Sequence, residues 1–456
     1  MPESRSGYVT DVDYVFNFLP ELAPAWLDHV AVISCVRPPS HQDGFAWCDL
    51  GCGLGGTAVL LAATHPRGRF VGIDMMPTHI DHARRLATEG AIGNVQFFNV
   101  DFGAAEPAPA KFDYIVAHGV YSWVDARTQE QLRTFIQRHL KPGGLVYVSY
   151  NAMPGRGPDI SFQYLLRAIA ETVPGSSVTR VSTAISMVRD LAKLQPPSLD
   201  RSFAHVDPKE QSEQLPIAYV AHEFLIKNWK PLFVADVRAS MAEIGLTPVG
   251  SATLIQNYDS FVLPKAARDA LAGIGDGDLR EVTRDFLLNQ SFRRDVFVLN
   301  GHRLDGEEQR QRLLNSTFCL SRPPSAVDYE VSTTAGQLRF DNPFTRRIVA
   351  RLAGGPRRLG DIAIRDEEIG NLIANALVLC AARMVRPVEG ADAPVKKLNE
   401  TILRRLGGAE ELRHLALPCG TALRLDPNLM RALGDKFGID ESLTAWRDFL
   451  RLHGID

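Results

Sequence analysis

Cysteine is scarce: the 456 residues hold six, Cys35, Cys48, Cys52, Cys319, Cys380 and Cys419, and no two stand in a Cys-x-x-Cys pair. That spacing excludes a zinc ribbon and a disulfide scaffold, so no metal site is expected and the thiols read as reduced groups of a cytoplasmic protein. No run of about 18 apolar residues exists, which leaves nothing to span a bilayer as a helix. The opening stretch Met1 to Tyr14 lacks the charged-then-apolar build of a signal peptide, in keeping with a cytoplasmic location and no membrane partner. A charge excess is missing too. Fifty Lys and Arg against 53 Asp and Glu give a formal net charge of −3, which argues against nucleic acid or anionic lipid held by bulk attraction. Internal repeats and low-complexity tracts are also lacking. At 456 residues the chain exceeds one compact core, so two or three domains are expected.

What is there first is alternation of strand and helix signals. Apolar runs at Phe45 to Leu50, Arg69 to Ile73, Val95 to Val100, Phe112 to Ala117 and Leu145 to Tyr150 predict five strands. Helical patterns at Thr57 to Thr64, His79 to Glu89 and Thr128 to Leu140 lie between them, the last stopped by Lys141-Pro142-Gly143-Gly144. This is the pattern of an α/β, doubly wound parallel sheet, whose ligand crevice lies at the carboxyl ends of the strands. Helix-like stretches at Phe162 to Val173 and Val178 to Leu194 break the rhythm and predict a helical insert. One further helix over His222 to Gly245, with strands at Thr247 to Ala252 and Ser260 to Leu263, completes a seven-stranded sheet. The expected divisions are thus 1–155 for the N-terminal segment and core, 156–215 for a lid, 216–264 for the end of the sheet and 265–456 for a mainly helical C-terminal domain. In that last part, helices at Phe344 to Leu352, Leu359 to Ala363 and Gly370 to Met384, then a strand at Val385 to Val388, follow an order similar to a winged-helix module.

The densest chemical signal is Asp49-Leu50-Gly51-Cys52-Gly53-Leu54-Gly55-Gly56, where the first strand turns into the first helix. Glycines suit a tight turn that must let backbone approach a ligand. Gly51, Gly53 and Gly56 also satisfy the dinucleotide spacing. The carboxylates tilt the choice. Asp49 precedes the loop, where it would repel a diphosphate but offset a cationic ligand. Asp74 closes the second strand, at the place of a ribose-diol acceptor, and Asp101-Phe102 closes the third, where an adenine can be met by a carboxylate and a ring face. A nicotinamide site gives no reason for Asp101-Phe102.

These residues, with the Leu140-Lys141-Pro142-Gly143-Gly144 turn, resemble the motif series of class I, Rossmann-like S-adenosylmethionine-dependent methyltransferases. A narrower resemblance rests on Tyr14-Val15-Phe16-Asn17-Phe18-Leu19-Pro20, Ala117-His118-Gly119-Val120-Tyr121-Ser122-Trp123, Ser149-Tyr150-Asn151-Ala152-Met153-Pro154-Gly155, Ala221-His222-Glu223-Phe224 and Phe292-Arg293-Arg294-Asp295. Those segments are similar to methyltransferases with a methyltransferase regulatory domain, a group that includes rickettsial protein-lysine methyltransferases. The resemblance implies S-adenosylmethionine as donor and S-adenosylhomocysteine as product. It also implies a donor site drawn from Tyr14, Asp49, Gly51, Cys52, Gly53, Gly55, Asp74, Met75, Asp101, Phe102, His118 and Gly119.

Methyl transfer is an in-line displacement at a sulfonium carbon, governed largely by proximity and orientation. The loop after the fourth strand is where the methyl group would be presented. Tyr121 and Trp123 are expected to line the acceptor channel, their faces suiting an alkylammonium, with His118 as an orienting group or a base. Tyr14 and Phe16 are expected to close over the donor. Arg293-Arg294 beside Asp295 reads as a solvated charge cluster at a domain contact, the alternative being a site for an anion or phosphate. A protein acceptor, lysine first, is the expected partner. The alternatives are a small-molecule acceptor and a catalytically silent donor-binding regulator.

Overall fold

A computed structural model describes residues 11, 18–106, 111–194, 217–363, 368–389, 393–405, 412–425, 441–453 and 455. The strands are β1 (Phe45–Leu50), β2 (Gly68–Asp74), β3 (Val95–Asn99), β4 (Phe112–Ala117), β5 (Leu140–Asn151), β6 (Leu246–Ser251) and β7 (Phe292–Leu299). They form one sheet in the order β3-β2-β1-β4-β5-β7-β6. β1 to β5 are parallel, and β7 runs antiparallel between β5 and β6.

Strand alternation divides the core. Trp47, Tyr114 and Tyr147 face α1 (Pro24–Ile33), α2 (Gly56–Thr64) and α3 (Pro77–Glu89). Cys48, Ile115 and Val146 face the other layer, which holds α4 (Ala126–His139). Each large apolar side chain fully buried in this way contributes about 1.5–3 kcal/mol. Local signals set the helix starts: Pro77 occupies the first turn of α3, and the Asp125 carboxylate accepts from the Thr128 N–H to cap α4.

Three expectations are corrected. The proline-glycine turn before β5 lies inside that strand, which begins at Leu140 and absorbs Gly143 (φ +77°) through a register shift against β4. The helix predicted across 222–245 is two, α7 (Ile217–Phe224) and α8 (Val234–Ala242). Between them Pro231 interrupts the pattern and Leu232 pairs with Asn151 and Met153, drawing the chain across the end of β5. Ser260 to Leu263 is no strand. It belongs to a helical turn over Asp259–Val262, closed by the Leu263 N–H on the Asp259 carbonyl, with Arg280 and Arg284 on the Asp259 carboxylate.

The strand that does complete the sheet, β7, lies beyond residue 264 and carries the charges read as a solvated cluster. Arg293 is buried: Nη1 meets Asp285 Oδ1 at 2.5 Å and Nε meets Asp295 at 3.1 Å, while the Tyr150 hydroxyl donates to Asp295 at 2.6 Å. Period-two alternation puts Arg294 on the opposite face.

The insert packs α5 (Gly157–Thr172), α6 (Ser177–Ala192) and α7 around a small core of its own. Trp123, from the loop after β4, enters that core beside Trp229, their rings 6.2 Å apart. The C-terminal part has helices over Pro343–Leu352 and Ile369–Ala381, and strand Thr317–Leu320 lies between Arg357–Arg358 and Val385–Val388. It shares one continuous hydrophobic core with α1, α2 and α3. Polar ties add to it: Arg383 pairs with Glu21 at 2.7 Å and Arg405 with Glu89 at 2.8 Å. Among the described residues no helix is long and apolar enough to cross a membrane.

At this junction His41 bridges Asp28 of α1 (3.3 Å) and Glu389 of the C-terminal part (2.8 Å), and the Tyr114 hydroxyl donates to Asp28 at 2.6 Å. Burial pushes Asp28 up to about 7. Burial opposes protonation of His41, but the bond to Glu389 and the charges of Asp28 and Glu389 outweigh it and raise its pKa.

Both buried clusters should register in stability measurements. Arg293→Met strips the cation from two buried carboxylates and should cost about 3–5 kcal/mol in urea unfolding, with the m-value unchanged. At the junction both raised groups act in one direction. His41 stabilises fully below its ordinary value and loses this as pH rises through its raised one. Asp28, protonated longer when folded, disfavours folding increasingly from about pH 4 to about pH 7. The melting temperature should therefore fall as pH rises above about pH 5 and on through the raised value of His41, and Glu389→Gln should lower the stability on the acidic side by about 1–2 kcal/mol and flatten the slope.

Candidate functional site

The carboxyl ends of β1 to β4 open into a cavity of about 320 Å³. Its floor is the glycine loop. Gly51 has φ +85°, and a Cβ there would collide with the Val120 side chain. Gly53 has φ +51°, and nothing lies within 4 Å of the place a Cβ would take, so the space beside it is free for a ligand. The Gly51 and Cys52 N–H groups donate to the Ile73 carbonyl at 2.8 and 3.1 Å, tying the loop to β2.

Asp74 ends β2 at the cavity wall. Its Oδ2 accepts from the Gly53 N–H and its Oδ1 from the Met76 N–H, both at 2.9 Å, with His79 Nδ1 3.4 Å from Oδ1. A carboxylate oxygen accepts more than one hydrogen bond, so the oriented group retains capacity for a diol. Asp101 and Phe102 line the same cavity just beyond the end of β3. Asp49 lies behind the loop, 5 % exposed, and no side-chain hydrogen bond is made to it among the described residues. Burial and the charge of Asp74 push it up to about 8.

His118 directly follows β4 and lines the cavity. Its Nδ1 is 2.8 Å from the Tyr147 hydroxyl and 3.3 Å from Ser149 Oγ, which also accepts from the Gly119 N–H at 2.9 Å. Burial and the nearby Arg294 charge lower its pKa to about 3, so the ring is neutral at physiological pH.

Of the residues singled out from the sequence, Gly51, Gly53, Asp74, Met75, Asp101, Phe102, His118, Gly119 and Trp123 line the cavity. Cys52 and Gly55 shape the loop without lining it. The Cys52 thiol is held up by burial and by the charges of Asp74 and Asp49, which leaves it protonated. Tyr121 turns away: 2 % exposed, its hydroxyl meets Ser240 of α8 and accepts from Arg133 of α4, so it is packing and not channel wall. Tyr14 and Phe16 lie outside the described residues. The sequence reading missed Asp125, Thr128 and Gln131, which line the cavity from the start of α4, and Asn228 from the insert. The cap spacing Asp125 to Thr128 could have placed a helix start at the cavity; Asn228 carried no signal.

These residues fit an adenosyl donor in kind: a wall carboxylate with accepting capacity to spare, a second carboxylate beside a ring, an open glycine face and a buried carboxylate with no counter-charge among the described residues. The sequence matches two protein-family models, a methyltransferase domain over residues 41–189 and a predicted methyltransferase regulatory domain over residues 216–299. The uncharacterised protein sll1526 of Synechocystis sp. is 31 % identical over 403 residues, 88 % of this chain and 78 % of its own length. The trans-aconitate 2-methyltransferase of Azoarcus sp. is 34 % identical over 107 residues, 24 % of this chain and 39 % of that protein. Among solved structures, PKMT2 from Rickettsia typhi in complex with AdoHcy shares the fold with a TM-score of 0.70 at 17 % identity, over 96 % of this chain and 92 % of its own. With its seven-stranded sheet, its donor-shaped cavity and both matching domains, the chain belongs to the Rossmann-like S-adenosylmethionine-dependent methyltransferases that carry a methyltransferase regulatory domain.

Proposed function

We propose that this enzyme methylates a protein side chain, with a lysine amine as the first acceptor class. The observation that carries the reading is the size of the cavity. About 320 Å³ is at the lower end for small-molecule sites, and residues from three strand ends already suit it to the donor. An acceptor then reaches in from the rim as a side chain. The likeness to PKMT2, which extends through the C-terminal part, supports the same reading. The likeness to trans-aconitate 2-methyltransferase covers 107 residues and bears on the donor half.

On this reading Asp74 holds the ribose diol, Asp101 and Phe102 meet the adenine, Asp49 faces the cationic end of the donor, and Gly51 and Gly53 let its chain lie against the backbone. S-adenosylmethionine supplies the electrophilic methyl group. Trp123 offers a ring face to the acceptor alkylammonium at the rim, and His118 orients the acceptor. The insert is a lid, the C-terminal part recruits or regulates, and the six free cysteines suit a reducing, cytoplasmic compartment.

Two measurements test these assignments. In a cell extract with methyl-labelled donor, label should enter the protein fraction, disappear when lysines are blocked, and fall about 100-fold with Asp74→Ala. Label confined to small molecules would replace the acceptor assignment, and donor binding without any transfer would make the protein a regulator. Separately, a donor cation should draw the proton off Asp49. Calorimetry in buffers of different ionisation heat should show about one proton released per donor at about pH 7, where the free carboxyl is protonated, and close to none at about pH 9. Asp49→Asn should abolish the release.

A further inference from the structure

Three strands converge on His118. β4 leads directly into it, β5 presents Tyr147 and Ser149 alongside, and β7 places Arg294 opposite Ser149 in the ladder. The Tyr147 ring stacks on the imidazole with centroids 5.9 Å apart and planes 18° apart, and Phe292 packs against it from β7 at 5.9 Å. Arg294 lies over the Phe292 ring at 4.9 Å, donates to Thr253 Oγ1 at 3.1 Å, and places its charge beside both Tyr147 and His118. The imidazole is thus gripped on its face and at one nitrogen.

The direction of that grip follows from the donors available. Arg294, across the β5–β7 ladder from Ser149, brings a positive charge to the Tyr147 oxygen and to the ring. An oxygen beside a cation is a poorer acceptor and a better donor. Tyr147, fully buried and held protonated by that burial, therefore gives its proton to His118 Nδ1 at 2.8 Å. Ser149 Oγ, taking the Gly119 N–H, has its own proton free to point at the same nitrogen at 3.3 Å. Nδ1 thus has two hydroxyl donors in reach and no need to carry a proton. A neutral imidazole with an accepting Nδ1 carries its hydrogen on Nε2.

We propose that Arg294 and Tyr147 are positioning residues that fix His118 as the neutral Nε2–H tautomer, so that it presents a hydrogen-bond donor, and not a base, to the methyl-transfer cleft. Its ligand is a carbonyl or carboxylate oxygen of the acceptor. Resting on the protein-acceptor reading, that oxygen is a peptide carbonyl next to the modified side chain. The acceptor amine then loses its proton to water before transfer and not to this ring. The groups acting on the His118–Tyr147 pair are Arg294 and Phe292 from β7, Ser149 from β5 and, through its charge on Tyr147, Glu21. Among these, none supplies a carboxylate to the imidazole itself.

The test is nitrogen NMR of the full chain with labelled histidine, twelve residues in all, His118 being assigned from the signal lost in His118→Gln and shifted in Tyr147→Phe. The expected result is a pyrrole-type Nε2 and a pyridine-type Nδ1, unchanged from about pH 5.5 to about pH 9. Tyr147→Phe should move the Nδ1 resonance and admit the second tautomer, and Arg294→Gln should raise the ring's pKa. A protonated Nδ1 in the native protein, or titration of this ring within that range, overturns the proposal. No acceptor is needed for the measurement, so its outcome stands apart from whether labelled methyl is found in protein.

Discussion

Two carboxylates at the ends of neighbouring parallel strands are the constraint around which the site is arranged. Asp74 is satisfied by backbone: the Gly53 and Met76 N–H groups fix it at the cavity wall. Asp49, deeper and 5 % exposed, receives no such donor among the described residues. A buried charge without a partner is expensive, and a neighbouring charge of the same sign makes it more so. The protein resolves the conflict by holding Asp49 protonated when alone, and the family's donor is a cation. The glycine loop, tied to the Ile73 carbonyl at the end of β2, stands between those two groups, with Asp74 on the cavity wall and Asp49 behind the loop.

Much of this was legible from the sequence because parallel strands bury both faces and end in turns of restricted composition. The runs at 45–50, 69–73 and 95–100 and the carboxylates that close them needed only periodicity and turn chemistry. Where charge is buried, the reading failed. Phe292 to Leu299 is a central strand with two arginines and an aspartate, and period-two alternation was hidden because both faces carry ionic groups with partners distant in sequence: Asp285 and Tyr150 on one side, Thr253 on the other. Tyr121 fell the other way. An aromatic residue in a cleft-side loop suggests a channel wall, but Arg133 of the next helix and Ser240, far along the chain, give its hydroxyl a buried home. No local pattern carries such information.

The C-terminal part is not tethered to the catalytic sheet by a hinge but fused to its back. Its side chains and those of α1, α2 and α3 belong to one apolar cluster, and His41, Arg383 and Arg405 tie the surface above it. Displacing it whole would expose the core that supports β1. Any influence it has on the cavity is therefore carried by small shifts of α1, α2 and α3, which support the strands bearing Asp49 and Asp74, and not by a body that swings over the cleft.

The order of the strands also has a consequence for synthesis. β5 ends at residue 151, but the strand that covers its free side begins at residue 292. A growing chain leaves the ribosome amino end first, so for the intervening stretch β5 stands as an open edge. An uncovered, apolar strand edge invites pairing with other chains.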